Sequence, residues 1–349
     1  MKGLVYAITK LIVKGGLHAV YKEIKITGME HIPKDRPILF LPNHQSALID
    51  VLLIATNTQQ KSYFLTRADV FTNAFLNRIF MYFRMLPIYR IRDGRKALSR
   101  NDRMFDTYAE LLARGEALTL FPEANHNLQR RVRPLSKGFT RIIIRTFERY
   151  PDMDILLVPV GLNYGNALHF PDRVALHFGQ PISAKSLYTQ NDLNLSSIAM
   201  KNAVTTELKT LTTHIPKDID YEITIQKLKG TNIDFLSPNA VYETLNSKNF
   251  ANGARQMTKS NVKKSRSIPY LIFTLLNLPV VLIWKGVLKP KVPEAEFMGT
   301  FRFASAMVLF PIYVLVLFMA VLVLGSLEMA FLSIVVLCLV NLILVKHVL

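Results

Sequence analysis

Residues 38–54 read ILFLPNHQSALIDVLLI, a short apolar run, a polar loop and a second apolar run. The pattern predicts a buried strand over 38–42, then the loop, then an apolar helix over 47–58. The loop carries His44, a side chain that takes up and releases a proton near neutral pH, and Asp50 follows it. We interpret His44 as a base acting on a substrate hydroxyl and Asp50 as the carboxylate that orients its ring. The alternative is an ordinary loop histidine followed by a helix-start aspartate.

The first 230 residues alternate between short apolar runs and helical patterns, which indicates an α/β domain with a largely buried sheet. Strands are predicted over 24–30, 38–42, 62–66, 86–90, 117–121, 155–160 and 176–179. Helices are predicted over 47–58, 70–84, 99–114, 137–149 and 196–213.

The chain is strongly basic, with 43 Lys and Arg against 25 Asp and Glu, a formal net charge of +18. This surplus favours an anionic partner: nucleic acid, anionic lipid, or a phosphorylated or acidic substrate. The basic helix 137–149 has no aromatic interleaving and no nucleic-acid-binding motif, so we predict no nucleic acid partner. The remaining histidines lack ligand spacing, so we predict no metal. The single cysteine, Cys338, excludes a disulfide framework and suits a reducing compartment.

The C-terminal third is apolar in long runs. Residues 303–324 and 329–345 predict two transmembrane helices joined by a tight turn near 325–328. The segment 268–284 has basic residues at both ends, which favours a re-entrant or interfacial segment because positive residues stay on the cytoplasmic side. A third true span is the alternative. This topology keeps residues 1–300 on the cytoplasmic side.

At the N-terminus, an apolar face interspersed with lysines indicates either a basic amphipathic helix in the membrane interface or a helix packed on the domain. We therefore divide the chain into five parts. They are an interfacial helix (1–23), the α/β domain (24–230), a basic polar linker (231–267), a re-entrant or interfacial apolar segment (268–300) and a transmembrane hairpin (301–349).

Three further motifs follow apolar strands, where α/β sheets place their ligands. The first is LPIYR at residues 86–90. The second is FPEANH at 121–126, followed by three arginines and by LSKG at 135–138. The third is VPVGLN at 158–163.

Taken together and in this order, the four motifs resemble those of the glycerolipid acyltransferase family, which includes bacterial 1-acyl-sn-glycerol-3-phosphate acyltransferase. The family's first block is Asn-His, four residues, Asp, and its third is Phe-Pro-Glu-Gly-Thr-Arg-Ser. The resemblance covers roughly residues 25–230. It implies a mixed buried sheet flanked by helices, and His44–Asp50 catalysis of acyl transfer with neither a metal nor a covalent intermediate.

The resemblance also implies a set of substrate-binding residues for the glycerol-phosphate end of the acceptor. A planar guanidinium suits a phosphate because it donates two parallel hydrogen bonds. The set, carried over to this sequence, is Arg90, Pro122, Glu123, Asn125, His126 and Lys137.

The chain departs from the family pattern at two places. Five residues, not four, separate His44 from Asp50, so the pair meets only if the loop absorbs the extra residue. In the third block, residues 124–126 are Ala-Asn-His where the family has Gly-Thr-Arg. His126 therefore stands where an arginine is expected to hold phosphate; either Arg130 or Arg131 compensates, or the acceptor differs.

From the resemblance we expect a membrane-bound enzyme of phospholipid biosynthesis in the bacterial inner membrane, with its catalytic domain on the cytoplasmic face. It would transfer a fatty acyl group from acyl carrier protein or coenzyme A, with no other cofactor, to 1-acyl-sn-glycerol 3-phosphate. Alternative acceptors are glycerol 3-phosphate and a lyso-aminolipid (ornithine or glycine lipid). A catalytically silent lipid-binding scaffold is the alternative outside enzymes.

Overall fold

The computed structural model describes residues 2–89, 95–247, 250 and 268–349. Its strands are β1 (Glu23–Thr27), β2 (Ile38–Pro42), β3 (Tyr63–Arg67), β4 (Met85–Ile88), β5 (Ala117–Thr119), β6 (Leu156–Tyr164), β7 (Arg173–Phe178) and β8 (Ile182–Ser183). The helices of the α/β domain are α1 (Lys2–Val20), α2 (Ala47–Asn57), α3 (Ala74–Tyr82), α4 (Arg95–Ala113), α5 (Gly138–Arg149), α6 (Leu193–Leu211), α7 (Tyr221–Gly230) and α8 (Pro238–Asn246). The C-terminal helices are α9 (Ile268–Leu276), α10 (Leu278–Ile283), α11 (Met298–Leu324) and α12 (Leu327–Ile343).

The described strands form one mixed sheet, in the order β1-β7-β6-β2-β5-β3-β4 with β8 beside β6. β2 lies in the middle and is parallel to both β5 and β6, whereas β6 and β7 are antiparallel. Because β2 and β5 are parallel, the loops that follow them meet at one edge of the sheet. The predicted α/β architecture, a mixed sheet flanked by helices, is what the structure shows.

Both faces of the sheet are covered, which explains why β2 is apolar at every position. Leu39 and Leu41 belong to a cluster with α4, α5 and α6, whereas Ile38 and Phe40 belong to a second cluster with α1 and α2. All five residues of β2 are buried. A strand buried on both faces has no polar alternation, so a continuous apolar run is the expected pattern.

Two element boundaries differ from the predicted ones for reasons of local chemistry. The first strand stops at Thr27 because Gly28 has a φ of 82° and its Cα lies against the backbone of Phe178, where a Cβ would be 2.0 Å from the carbonyl oxygen. Helix α6 begins earlier than predicted, after Asp192, whose side chain accepts a hydrogen bond from the backbone N–H of Leu195.

The α/β domain continues beyond residue 230, where we predicted a polar linker. A third apolar cluster joins α7 to residues further along the chain, among them Phe235 and Val241. His177 of β7 donates from Nε2 to the carbonyl of Leu236 at 2.9 Å. The predicted boundary at 230 is therefore too early, since α8 also packs on α6. Residues 251–267 of the predicted linker lie outside the described part of the chain.

Three described helices are long and apolar enough to cross a membrane: the segments are Gly3–Val20, Ala295–Leu324 and Leu327–Val348. The last two correspond to the predicted hairpin of α11 and α12. Gly299, at the start of α11, lies against Ser46, and Lys346, after α12, donates to the carbonyl of Tyr21 at 2.7 Å. Both ends of the hairpin therefore lie beside the α/β domain.

Helices α9 and α10 form a pair bent by 95°. At the bend, Asn277 is buried and exchanges two side-chain hydrogen bonds, at 2.7 and 3.1 Å, with Asn341 of α12. The paired amides satisfy polar groups that would be costly to leave alone in an apolar setting. Whether this pair spans the membrane or re-enters it stays a prediction.

Helix α1 packs on the domain and also presents an apolar face outward. Leu17 is fully buried against the sheet, and Lys10 donates to the carbonyl of Thr58 at 2.9 Å. Leu4, Ile8 and Leu11 are exposed. The helix thus combines the two alternatives raised by its sequence, domain packing at its C-terminal half and an open apolar face nearer its start.

Candidate active site

The loop after β2 is fixed by the longer neighbouring strand β6. Pro42, the last residue of β2, is in register with Val160, so β6 continues beyond the end of β2. Asn43 is buried, and its side chain makes the hydrogen bonds to β6 that a further strand residue would make through its backbone. Oδ1 accepts from the N–H of Leu162 at 2.7 Å, and Nδ2 donates to the carbonyl of Leu162 at 3.1 Å. His44, the next residue, is therefore held at the carboxyl end of the sheet.

His44 and Asp50 meet despite the extra residue between them. His44 Nδ1 lies 2.8 Å from Asp50 Oδ2. The turn into α2 places Ala47 at a φ of 36°, in the left-handed region, and the N–H of Ile49 already donates to the carbonyl of Ser46. The loop absorbs the fifth residue in this turn, so the longer spacing does not separate the pair.

Asp50 is completely buried, and each of its hydrogen-bond partners can donate. Oδ2 accepts from the backbone N–H groups of Gln45 and Ser46, at 2.8 Å each, as well as from His44. Oδ1 accepts from the hydroxyl of Tyr164 at 2.5 Å. Burial, together with the neighbouring Asp50 carboxylate, raises the pKa of Tyr164, which keeps this hydroxyl protonated. An ionised carboxylate accepts only, so this set of donors is suited to one.

A proton on His44 Nδ1 leaves Nε2 bare and able to accept a proton. The imidazole is stacked on Phe121, with ring centroids 4.1 Å apart, and its side chain is 14% exposed. Within the described residues Nε2 has no hydrogen-bond partner. The arrangement suits a general base, with Nδ1 held by Asp50 and Nε2 left without a hydrogen-bond partner among the described residues.

The loop after β5 locks the backbone of His44 from the other side. Glu123, whose side chain is 2% exposed, accepts from Arg133 at 2.5 Å and from the N–H of His44 at 3.4 Å. The N–H of Asn127 donates to the carbonyl of His44 at 3.0 Å. The carboxylate of Glu123 is turned inward, toward Arg133 and the backbone of His44, and its predicted role in substrate binding stays a prediction.

Arg130 and Arg131 were the candidates to compensate for the missing arginine at position 126, and both are engaged elsewhere. Arg130 donates to the carbonyls of Tyr164 and Gly165 at 2.7 and 2.8 Å, and burial lowers its pKa to about 10. Arg131 donates to the carbonyls of Ile215 and Pro216. These guanidiniums hold the domain together, so neither is free to replace the missing arginine.

His126 faces both His44 and the start of the C-terminal hairpin. Its ring lies 5.6 Å from that of His44, nearly perpendicular, and 4.8 Å from that of Phe297. His126 Nε2 lies 3.0 Å from the carboxylate of Glu294. The segment that leads into α11 therefore forms one wall of the site.

The other residues predicted to bind substrate lie in different surroundings. Asn125 is exposed, and its two oxygens accept from Arg133. The carbonyl of Pro122 accepts from the N–H of Ser136 at 2.8 Å, which brings the Lys137 segment next to the loop. Lys137 is exposed, and among the described residues its side chain has no polar partner, whereas its carbonyl accepts from the hydroxyl of Thr140 at 3.0 Å. Arg90 lies outside the described residues.

Sequence reasoning missed the residues that complete the site from a distance. Tyr164 ends the apolar run of β6, and its role follows from the register of β6 against β2, which no local pattern reveals. Arg133 was noted only as one of several cations. Glu294 and Phe297 gave no signal, since Glu294 lies 168 residues after His126.

Known proteins are similar in sequence to this part of the chain. The family model Acyltransferase matches residues 23–163, from β1 into β6. A glycerol-3-phosphate O-acyltransferase of Saccharomyces cerevisiae is 30% identical over 73 residues, 21% of this chain and 10% of that protein. A chloroplastic 1-acyl-sn-glycerol-3-phosphate acyltransferase of Arabidopsis thaliana is 26% identical over 179 residues, 49% of this chain and 47% of that protein. The chain thus spans half or less of the length of these relatives.

A solved structure shows a weaker likeness. The 1-acyl-sn-glycerophosphate acyltransferase of Thermotoga maritima aligns with a TM-score of 0.41 at 20% identity, covering 60% of this chain and 81% of that one. Over residues 23–163 the chain is similar to the Acyltransferase family, and all four motifs lie within this range.

Proposed function

We propose that the chain is a membrane-bound O-acyltransferase that places a fatty acyl group on the free hydroxyl of 1-acyl-sn-glycerol 3-phosphate, giving phosphatidate. The acyl donor is a thioester of acyl carrier protein or coenzyme A. The observation that carries this proposal is the buried His44–Asp50 contact at 2.8 Å, within a segment that matches the Acyltransferase model. The name of the Arabidopsis thaliana relative supports the acceptor.

The reaction needs one base and no covalent intermediate. His44 Nε2 takes the proton of the acceptor hydroxyl while the oxygen forms a bond to the thioester carbonyl carbon. The carbon–sulfur bond then breaks, and the imidazolium returns its proton to the leaving sulfur. Asp50 stabilises the imidazolium between these steps, and the chain's own residues supply this chemistry without a cofactor or metal.

Two other acceptors remain alternatives. Glycerol 3-phosphate is supported by the name of the Saccharomyces cerevisiae relative. A lyso-aminolipid is supported by the carboxylate of Glu294 beside His126, because a carboxylate attracts an ammonium group. The non-enzymatic alternative, a lipid-binding scaffold, depended on a separation between His44 and Asp50, and their contact favours an enzyme.

We further propose that the chain lies in the bacterial inner membrane, with the α/β domain on the cytoplasmic face. The apolar hairpin supports membrane association. Its flanking residues Lys285, Lys289 and Lys291 at one end and Lys346 at the other support the cytoplasmic placement of both ends.

The test is acyl transfer by the full chain in detergent micelles, with each acyl donor and each of the three acceptors. His44→Ala should lower the turnover number by about 10²–10⁴-fold, the usual contribution of general-base catalysis, and still bind vesicles. His31→Ala, at an exposed histidine outside the site, is the control and should keep full activity. Full activity in His44→Ala contradicts the mechanism. Absence of transfer by the wild-type chain to all three acceptors contradicts the function.

A further inference from the structure

The loop after β5 is joined, at His126, to a segment that precedes the first helix of the hairpin. Glu294 contacts His126 Nε2 at 3.0 Å, and Phe297 packs edge-on against the same ring. Gly299, two residues further, lies against Ser46 in the loop that carries His44. The hairpin is thus more than an anchor, since its first residues line the site.

These residues lie within reach of the acceptor headgroup, a step that rests on the acyl transfer of the proposed function and not on its first-named acceptor. The acceptor hydroxyl must lie at His44 Nε2, and the headgroup of a 1-acylglycerol lipid is on the carbon next to the one that bears this hydroxyl. The ring of His126 is 5.6 Å from that of His44. A headgroup attached so close to the reacting oxygen is therefore within reach of His126 and its partner Glu294.

The arginines of the loop after β5 are engaged with groups other than Glu294. Arg130 and Arg131 donate to backbone carbonyls, and Arg133 is paired with the buried Glu123. In the part of the chain that the structure describes, His126 is the only polar partner of the Glu294 carboxylate. The Glu294 side chain is 62% exposed, so its carboxylate is open to a ligand as well as to water.

We propose that Glu294 is a specificity-determining residue for the acceptor headgroup. Its carboxylate weakens the binding of a phosphomonoester, which carries up to two negative charges. Among the acceptors of the proposed function, it therefore favours the ammonium-bearing alternative over 1-acyl-sn-glycerol 3-phosphate. Phe297 holds this wall in place by packing on His126. The selectivity of the site for its acceptor is then set by the membrane hairpin and not only by the motif after β5.

The experiment compares 1-acylglycerol 3-phosphate with 1-acylglycerophosphoethanolamine as acceptors in neutral mixed micelles. Glu294→Gln removes the charge and keeps the shape, and it should raise kcat/KM for the phosphomonoester relative to the ethanolamine lipid by about tenfold. The change should shrink at high salt, because the charges are partly exposed. Glu296→Gln is the matched control: it removes an equal charge two residues away, where the structure records no contact with His126, and it should leave the ratio unchanged.

The same ratio is measured as Kd in His44→Ala protein, which needs no turnover. A shifted Kd ratio without any transfer by the wild-type chain supports Glu294 as the selector and contradicts the proposed function. Transfer with an unchanged ratio in Glu294→Gln overturns the inference and leaves the function standing. An equal shift in Glu296→Gln also overturns it, because the effect would then belong to the surface charge as a whole.

Discussion

The two histidines of the site are held in opposite ways. His44 is held by buried groups of the α/β domain: Asp50 is fully buried, Tyr164 is 1% exposed, and both belong to the sheet or to the helix next to it. His126 is held by Glu294, whose side chain is 62% exposed and belongs to the segment before the hairpin.

In the proposed function, this difference separates chemistry from recognition. A base must keep one geometry whatever the acceptor, and a network of buried donors around Asp50 provides that rigidity. The headgroup contact is built from an exposed loop and a remote segment, where a substitution changes the ligand preference with little effect on the core. Predictions that alter one side and leave the other intact test this separation.

The largest expected effect is at the buried side of the site, the groups around Asp50 that hold His44. Asp50→Asn keeps an oxygen to accept from the N–H groups of Gln45 and Ser46, and its amide can donate to the Tyr164 oxygen, so the fold should persist. The charge that stabilises the His44 imidazolium is lost. We expect turnover to fall by about 10²–10⁴-fold with KM for the acceptor little changed.

Steady-state kinetics over a range of acceptor concentrations measures this change. Asp106→Asn, at an ion pair on the surface of α4 and α5, is the control and should behave as wild type. If Asp50→Asn instead raised KM and kept the turnover number, the buried side would serve recognition, and the separation would be wrong.

The next largest effect concerns the ion pair of Arg133 with Glu123, which lies between the loop that carries His44 and the loop that carries His126. Arg133→Met leaves the Glu123 carboxylate buried without its partner, which costs about 3–5 kcal/mol of the free energy of unfolding for a broken buried pair. Arg145→Met, at exposed ion pairs with Asp106 and Glu148, should cost at most about 1 kcal/mol. Chemical denaturation in mixed micelles measures both.

A double variant sharpens this test. Arg133→Met with Glu123→Leu removes the uncompensated charge as well as the pair and should recover part of the lost stability. No recovery would mean that Arg133 acts mainly through Asn125 and the backbone of the loop, which it also contacts.

The buried side of the site was largely predictable from sequence. The exposed side, where His126 contacts Glu294, was not. Residues 38–42 formed the predicted strand because an apolar run bounded by Pro42 and a polar loop has few alternatives, and long uncharged runs predicted the hairpin helices. The contact between His126 and Glu294 depends on how the hairpin packs on the domain. No periodicity within either segment encodes that packing, and the same holds for the register that brings Tyr164 to Asp50.

A pH-dependent effect is expected where the hairpin meets the domain. Asp172 is 8% exposed, its Oδ2 has no partner among the described residues, and burial raises its pKa from 3.8 to about 6. The folded chain therefore holds this proton more tightly than the unfolded chain does. Below about pH 4, Asp172 does not lower the free energy of unfolding. As the pH rises to about 6, it lowers the free energy of unfolding progressively, by up to about 3 kcal/mol.

Asp172→Asn keeps an oxygen for the N–H of Asn166 and cannot ionise. The difference in free energy of unfolding, variant minus wild type, should grow between pH 4 and 6 and then level off. Denaturation curves in micelles at a series of pH values give this difference. A difference that stays constant with pH would show that Asp172 is not the residue that titrates.

The smallest effect lies in the backbone of the exposed side. Ala124 has a φ of 66°, in the left-handed region, at the position where the family motif has glycine. A residue with a Cβ loses about 1–2 kcal/mol in this conformation, and glycine loses about 0.5–1 kcal/mol more chain entropy on folding, so Ala124→Gly should stabilise by at most about 1.5 kcal/mol. Ala124→Val should destabilise, because a branched side chain tolerates this region less well. Since the loop already has this conformation, Ala124→Gly should leave turnover unchanged. A loss of turnover in that variant would mean that a stiff loop on the His126 side contributes to the chemistry at His44, and recognition and chemistry would then not be separable.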